Sequence, residues 1–293
     1  MYNGLSMELM NQSLKNKIAV ITGGGRGIGR AIAEAYAREG ADLFLIARTA
    51  HELSAAQKDV RKYGGRVEVE PADVSRTEDA EKIRRRIASD FGRADVVVNA
   101  AGIYGPIGAL EDTDPDEWMK TFSINVFGTM LMCRALLPMM KKQNSGRIIN
   151  FSGGGEGPFP RFSAYASSKG AIVRFTESLD GEARGNNIFV NAITPGAVNT
   201  AFLDTALAAG SEKTGEGFYQ KLLRQKEEGG VSPEKAAALC VFLASDAARG
   251  IGGKVISAQW DRWSDFSKHV KEITESDVYT FRRVKPKDRG YEW

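Results

Sequence analysis

Seven short apolar runs rich in β-branched residues alternate with amphipathic stretches along almost the whole chain, and few folds accept that pattern. The runs are Lys17–Thr22, Asp42–Ala47, Arg66–Pro71, Ala94–Asn99, Arg147–Ser152, Ile188–Ile193 and Lys254–Ala258. Between them lie helical stretches such as Ala31–Arg38, Glu52–Lys62, Glu78–Asp90, Glu117–Lys141 and Ala164–Ala183. Strands separated by helices pair in parallel, and a parallel sheet covered on both faces carries near-continuous apolar strands. The expectation is a single α/β domain with a doubly wound, seven-stranded parallel sheet. Ser232-Pro233-Glu234 opens a further helix, with Ser232 as cap, Pro233 in the first turn and the acid at the positive dipole end.

A chain of 293 residues can bury a large core without disulfides. The formal net charge of +3 gives no electrostatic footprint for nucleic acid. Cys133 and Cys240 each sit in an apolar helical run and form no CxxC, so they read as buried thiols. His51 and His269 belong to no cluster with metal-ligand spacing, so no metal is predicted. No basic-then-apolar leader and no apolar run of membrane-spanning length is visible, so no membrane is expected and the location is predicted to be cytoplasmic. Residues 1–13 read as a tail and 14–260 as the domain. Residues 200–231, with scattered glycines and weak periodicity, read as a mobile substrate lid or a plain surface loop. In the extension 261–293, Trp263, Phe266, Val270 and Ile273 are spaced as one helical stripe, which predicts docking on its own domain or on a neighbouring subunit.

The first strand runs into Thr22-Gly23-Gly24-Gly25-Arg26-Gly27-Ile28-Gly29, and a helix follows at once. Glycine permits the tight turn and lets backbone N–H groups approach a pyrophosphate at the helix N-terminus. The spacing is Gly23-x-x-x-Gly27-x-Gly29, not G-x-G-x-x-G. In a strand–turn–helix context it points to a Rossmann-type dinucleotide site. An NAD-selective site wants an acid at the end of the second strand. Here Leu43–Thr49 holds none, and Arg48 stands just beyond the strand. A guanidinium pairs with a 2′-phosphate, and Arg26 adds a second cation, so NADP(H) is predicted over NAD(H).

Tyr165 and Lys169 are spaced i, i+4 and share a helix face. A nearby ammonium favours the phenolate and is expected to lower the phenol from its usual value near 10. Tyr165 is then the general acid/base of a carbonyl/alcohol interconversion.

With these pieces the chain resembles the short-chain dehydrogenase/reductase family over roughly residues 14–260. The matching elements are the glycine turn, Asp73-Val74, Asn99-Ala-Ala-Gly102, Ser123-Ile-Asn125-Val, Tyr165-x-x-x-Lys169 and Pro195-Gly196. The resemblance implies adenine contacts from Asp73 and Val74, and a cofactor lining from Asn99, Ala100 and Gly102. It implies a proton-relay water held by Asn125, a ribose hydrogen bond from Lys169, and nicotinamide contacts from Pro195, Gly196, Val198 and Thr200. It also implies a homodimer or homotetramer formed through the long fourth and fifth helices. The family's carbonyl-orienting serine stands thirteen residues before the tyrosine, which is Ser152. The strand motif in another register puts Gly153 there, leaving Ser163 or no serine as the alternative.

Two other functions fit the same scaffold. One is a nucleotide-binding regulatory protein without turnover, prompted by Gly153. The other is a sugar-nucleotide epimerase or dehydratase, made less fitting by the short segment after the last strand. The substrate, a small carbonyl or alcohol, is not readable: Phe202, Leu203, Leu207, Phe218, Tyr219, Leu222 and Leu223 fit core and pocket equally, and 153–162 forms the opposite wall.

Overall fold

The computed structural model describes residues 12–154 and 157–293. Most of the expected N-terminal tail, and residues 155 and 156 of the expected pocket wall, lie outside the described residues. The elements follow in the order β1 (Ile18–Thr22), α1 (Gly27–Arg38), β2 (Asp42–Ala47), α2 (Ala50–Arg61), β3 (Val67–Pro71), α3 (Thr77–Asp90) and β4 (Val96–Asn99). The second half continues with α4 (Pro115–Phe122), α5 (Gly128–Gln143), β5 (Gly146–Phe151), α6 (Ser163–Ala183) and β6 (Ile188–Thr194). It ends with α7 (Ala201–Thr214), α8 (Glu216–Glu228), α9 (Pro233–Ala244), β7 (Val255–Ser257) and α10 (Val270–Glu275). All seven expected strands form, shifted by at most two residues at either end.

The strands make one parallel sheet in the order β3-β2-β1-β4-β5-β6-β7. Side chains alternate across it, so Ala19 and Ile21 enter one core and Val20 the other. Ile32 and Tyr36 of α1, Leu53 of α2 and Leu239 of α9 fill the first. Ile83 of α3, Met132 and Leu136 of α5 and Leu179 of α6 fill the second. Both thiols are free and buried, as their helical runs predicted. The order reverses between β1 and β4, and at such a switch point the loops after the strands part and leave a crevice at the carboxyl edge.

Three regions differ from the sequence reading or sharpen it. First, α4 and α5 join through a π-helical segment, Ser123–Phe127, into one helix from Pro115 to Gln143. By length and composition this helix is apolar enough to cross a membrane, which corrects the expectation that no such run exists. Its Met132, Leu136 and Met140 are buried in the sheet's second core, which accounts for that apolarity. Second, residues 200–231 are mainly helical, not loop. Thr200 caps α7 by accepting from the Phe202 N–H, and Gly210 breaks the helix at φ 78°. The stripe is weak because Leu203, Ala206 and Leu222 bury against Phe162 and not against the sheet. Third, the C-terminal extension docks on its own domain. Phe266 and Ile273 are buried, Trp263 lies 5.8 Å from the Phe242 ring, and Lys254 Nζ donates to the carbonyls of Ser276 and Val278.

Candidate active site

A cleft of about 1060 Å³ opens at the carboxyl edge of the sheet. One half is made of backbone. Gly23 stands at φ 68°, and a Cβ there would come within 3.2 Å of the Ala100 carbonyl, so the β1 turn lies directly on the β4 loop. The Ala101 N–H donates to Thr22 Oγ1 at 3.1 Å and holds that contact. Gly29 is tighter still: a Cβ would sit 2.2 Å from the Gly23 carbonyl oxygen. Gly25, Gly27 and Ile28 complete the turn, and Thr200 approaches Gly27 from the β6 side. The α1 N-terminus therefore presents its N–H groups and positive dipole end to the cleft, the arrangement that binds a pyrophosphate.

Arg26 in the β1 turn, and Arg48, Asp73 and Val74 beyond the ends of β2 and β3, line the cleft. Burial raises the Asp73 carboxyl. Hydrogen bonds from the Ser75 hydroxyl and N–H outweigh it, with Arg48 and Arg76 adding to them, and hold the group below its ordinary value. Sequence reasoning missed Glu52 in the first turn of α2, which lines the cleft and pairs with Arg26 at 3.2 Å. Its signal was the one-turn spacing from Arg48, an acid just past the stretch searched for one. Glu52 compensates Arg26, and Arg48 remains exposed at the rim.

The other half is made of buried side chains. Tyr165 sits in the first turn of α6 and faces the cleft, and a Cβ built on Gly153 would lie 3.6 Å from its hydroxyl. Lys169, one turn on, has its Nζ 5.7 Å from the Tyr165 ring centroid and donates to the Phe151 carbonyl at 2.7 Å. Burial pushes the Tyr165 phenol well above its ordinary range, and neighbouring Tyr104 adds to the rise. Burial also brings the Lys169 ammonium down to about 8. This corrects the electrostatic expectation: among the protein's own groups, desolvation of the phenol outweighs the pull of the lysine.

Ser152 is 2 % exposed, lines the cleft, and its Oγ has no hydrogen-bond partner. A buried hydroxyl without a partner is costly unless something else satisfies it. Ser163 does not reach the cleft, because its Oγ accepts from Trp118 Nε1 at 3.2 Å. Asn125 lies in the π-helical segment and does not line the cleft. Its side chain brackets Ile103, accepting from the N–H and donating to the carbonyl at 2.9 Å each, and also donates to Ser168 Oγ. Asn99 is a second correction. Its Nδ2 donates to Asn150 Oδ1 at 2.9 Å beneath the β4 loop, and Ala100, Ala101 and Gly102 line the cleft instead. Pro195, Gly196, Val198 and Thr200 line the far wall of the cleft. Of the apolar residues of α7 and α8, Phe202, Leu203, Phe218 and Leu222 line the cleft, whereas Leu207, Tyr219 and Leu223 do not. Tyr104 was missed, although an aromatic two residues past the Asn-Ala-Ala-Gly element was the available signal.

Comparison with known proteins agrees with this geometry. Residues 17–209 match the short chain dehydrogenase family. The D-beta-hydroxybutyrate dehydrogenase of Cupriavidus necator is 36% identical over 250 residues, covering 83% of this chain and 96% of that protein. NAD⁺-bound xylitol dehydrogenase superposes with a TM-score of 0.77 at 28% identity, over 83% of this chain and 98% of that one. Levodione reductase superposes with a TM-score of 0.78 at 29% identity, over 87% and 99%. The protein belongs to the short-chain dehydrogenase/reductase family and is an oxidoreductase of the nicotinamide-dependent, alcohol–carbonyl type.

Proposed function

We propose that the enzyme interconverts a ketone and a secondary alcohol with NADP(H) as the preferred cofactor and Tyr165 as the general acid/base. The observation that carries the reading is the meeting of two independent parts in one cleft, the glycine cradle at α1 and the buried Tyr165–Lys169 pair at α6. The cradle fits a dinucleotide, since Gly29 leaves no room for a Cβ and the α1 N–H groups face the opening. Gly23–Gly29 would hold the pyrophosphate, Asp73 and Val74 the adenine, Arg48 a 2′-phosphate, Lys169 the nicotinamide ribose, and Pro195–Thr200 the ring. When bound, the nicotinamide gives or accepts hydride.

The chain's own groups then manage the proton and the geometry. Ser152 Oγ, buried and unpartnered, donates to the carbonyl oxygen and orients it. The Tyr165 phenol delivers its proton to that oxygen in reduction, and in oxidation its phenolate takes the proton of the alcohol. Asn125 keeps Ile103, and with it the floor of the cleft, in register with Lys169. Helices α7 and α8 act as a lid that excludes water. We further propose that the exposed Met119 and Phe127 on the long α4–α5 helix belong to a contact between subunits.

Following NADPH and NADH absorbance with a ketone panel tests the reading. Tyr165→Phe is expected to lower turnover by roughly a thousandfold while cofactor still binds. Arg48→Ala is expected to raise KM for NADPH roughly thirtyfold, the loss of one charge-assisted contact, with little change for NADH. Full turnover in Tyr165→Phe removes the mechanism; equal effects of Arg48→Ala on both cofactors remove the NADP(H) assignment.

A further inference from the structure

Resting on that reading of the site, we infer that the substrate is an uncharged ketone or alcohol carried on a ring, aromatic or alicyclic. The reacting end of the cleft is a box of aromatic side chains. Tyr104 stands edge-on to the Tyr165 ring at 4.7 Å and 76°, and Phe202 lies 6.0 Å from it. Phe159 is 6.4 Å from Tyr165 and 5.2 Å from Phe218, which closes the box from α8. Buried Leu203 and Leu222 back these rings. Edge-to-face contacts reward a flat or compact ring, whose faces and edges complement the ring quadrupoles around it.

The distribution of charge argues for the same occupant. The cleft-lining Arg26, Arg48, Glu52 and Asp73 all belong to the cofactor half, where Arg26 pairs with Glu52. Lys169 donates to the Phe151 carbonyl, and on the proposed reading its remaining donors face the nicotinamide ribose. Asp204 and Lys226, of opposite sign, are exposed on the lid helices. Among the described residues, no cation therefore stands inside the aromatic box to receive a carboxylate, and an unpaired buried carboxylate is costly. A polyol fares little better. Tyr104, Ser152 and Tyr165 bring hydroxyls to this end, two of them committed to the reacting oxygen, while the cleft-lining Asn199 and Gln225 bond each other and the Ala197 carbonyl. Each further substrate hydroxyl left unpaired costs about 1–3 kcal/mol.

Four methyl ketones that differ only in what the carbonyl carries test the inference with the full-length protein: phenylacetone, 2-hexanone, hydroxyacetone and acetoacetate. The expected result is kcat/KM for phenylacetone roughly a hundredfold above hydroxyacetone and acetoacetate, about the desolvation cost of the one unpaired polar group each of these carries. Phenylacetone should also exceed 2-hexanone by about tenfold, through ring–ring contact. Phe202→Leu should erase most of the preference for phenylacetone over 2-hexanone, whereas a purely structural role would lower both rates alike. Equal or better reduction of acetoacetate or hydroxyacetone overturns the substrate class and leaves the reductase reading intact. Parity of 2-hexanone with phenylacetone overturns the ring requirement. Failure to reduce all four with either cofactor, while a charged or polyhydroxylated ketone is reduced, overturns the inference alone. Cofactor binding without turnover of any carbonyl overturns the reading beneath it.

Discussion

The cofactor cradle and the lid are both rich in glycine, for opposite reasons. At Gly23, Gly24 and Gly29 the backbone of a neighbouring segment lies within 3.2 Å of where a Cβ would be, so the glycines are there because chain packs on chain. At Gly210, Gly217 and Gly229 no atom lies within 4 Å. Gly210 and Gly229 serve positive φ, and Gly217 serves neither need. The cradle is thus rigid by contact, and its geometry is fixed before a ligand arrives. The lid is held through a few apolar side chains on its inner face, and its glycines punctuate helices. One residue type marks close backbone packing in one region and helix punctuation in the other.

The sharpest way to break this comparison is to add one carbon to the cradle. Gly29→Ala places a methyl 2.2 Å from the Gly23 carbonyl, and α1 cannot retreat without leaving the sheet. The expected cost is about 3 kcal/mol, by overpacking against backbone. Isothermal titration should show roughly hundredfold weaker binding of either nicotinamide cofactor. Unchanged affinity would mean that the turn is as pliable as the lid.

The reacting end stores its strain as buried charge. Burial lowers Lys169 from 10.5 to about 8, so at pH 7 the folded protein carries an ammonium that it would sooner lose. That shift corresponds to about 3 kcal/mol of destabilisation, and the Phe151 carbonyl left without its donor returns about 1 kcal/mol of it on substitution. Lys169→Met is therefore expected to be inactive and more stable than the parent by about 2 kcal/mol at pH 7. The sign with pH follows from proton counting. Between pH 8 and 10.5 the unfolded chain keeps a proton that the folded one has released, so the parent gains stability as pH rises. Denaturation midpoints should show the variant's advantage constant below pH 8 and shrinking above it. A less stable Lys169→Met at pH 7 would place the lysine among the fold's supports.

Most of the cradle was legible in the sequence because its chemistry is local. Strand, turn and helix lie within residues 18–38, and the seven strands each carry their own apolar pattern. The reacting end is a long-range assembly and was legible only in part. The i, i+4 spacing gave Tyr165 and Lys169 a common face, but the direction of their shifts depends on burial by the whole fold, and the rings around Tyr165, those of Tyr104, Phe159 and Phe202, come from three other segments. Asn99 and Asn125 show the same limit. Their motifs put them near the site, whereas their hydrogen bonds turn one beneath the β4 loop and the other onto Ile103. Glu52 escaped because the search for an acid stopped at Thr49, while the Arg26–Glu52 contact joins the starts of two helices.

The smallest effect is also the one of opposite sign. Gly217 lies in the first turn of α8, exposed, with a helical backbone and open space where a Cβ would be. Gly217→Ala meets nothing in the folded state and removes freedom from the unfolded chain. It should therefore stabilise the protein by about 0.5 kcal/mol. A chemical denaturation curve with unchanged slope and a slightly higher midpoint is the expected record, with cofactor affinity equal to the parent's. A loss of stability at this position would show that the lid's outer face is packed against something, a second subunit being the first candidate. The distinction between a glycine required by contact and a glycine that is merely tolerated would then fail at its simplest instance.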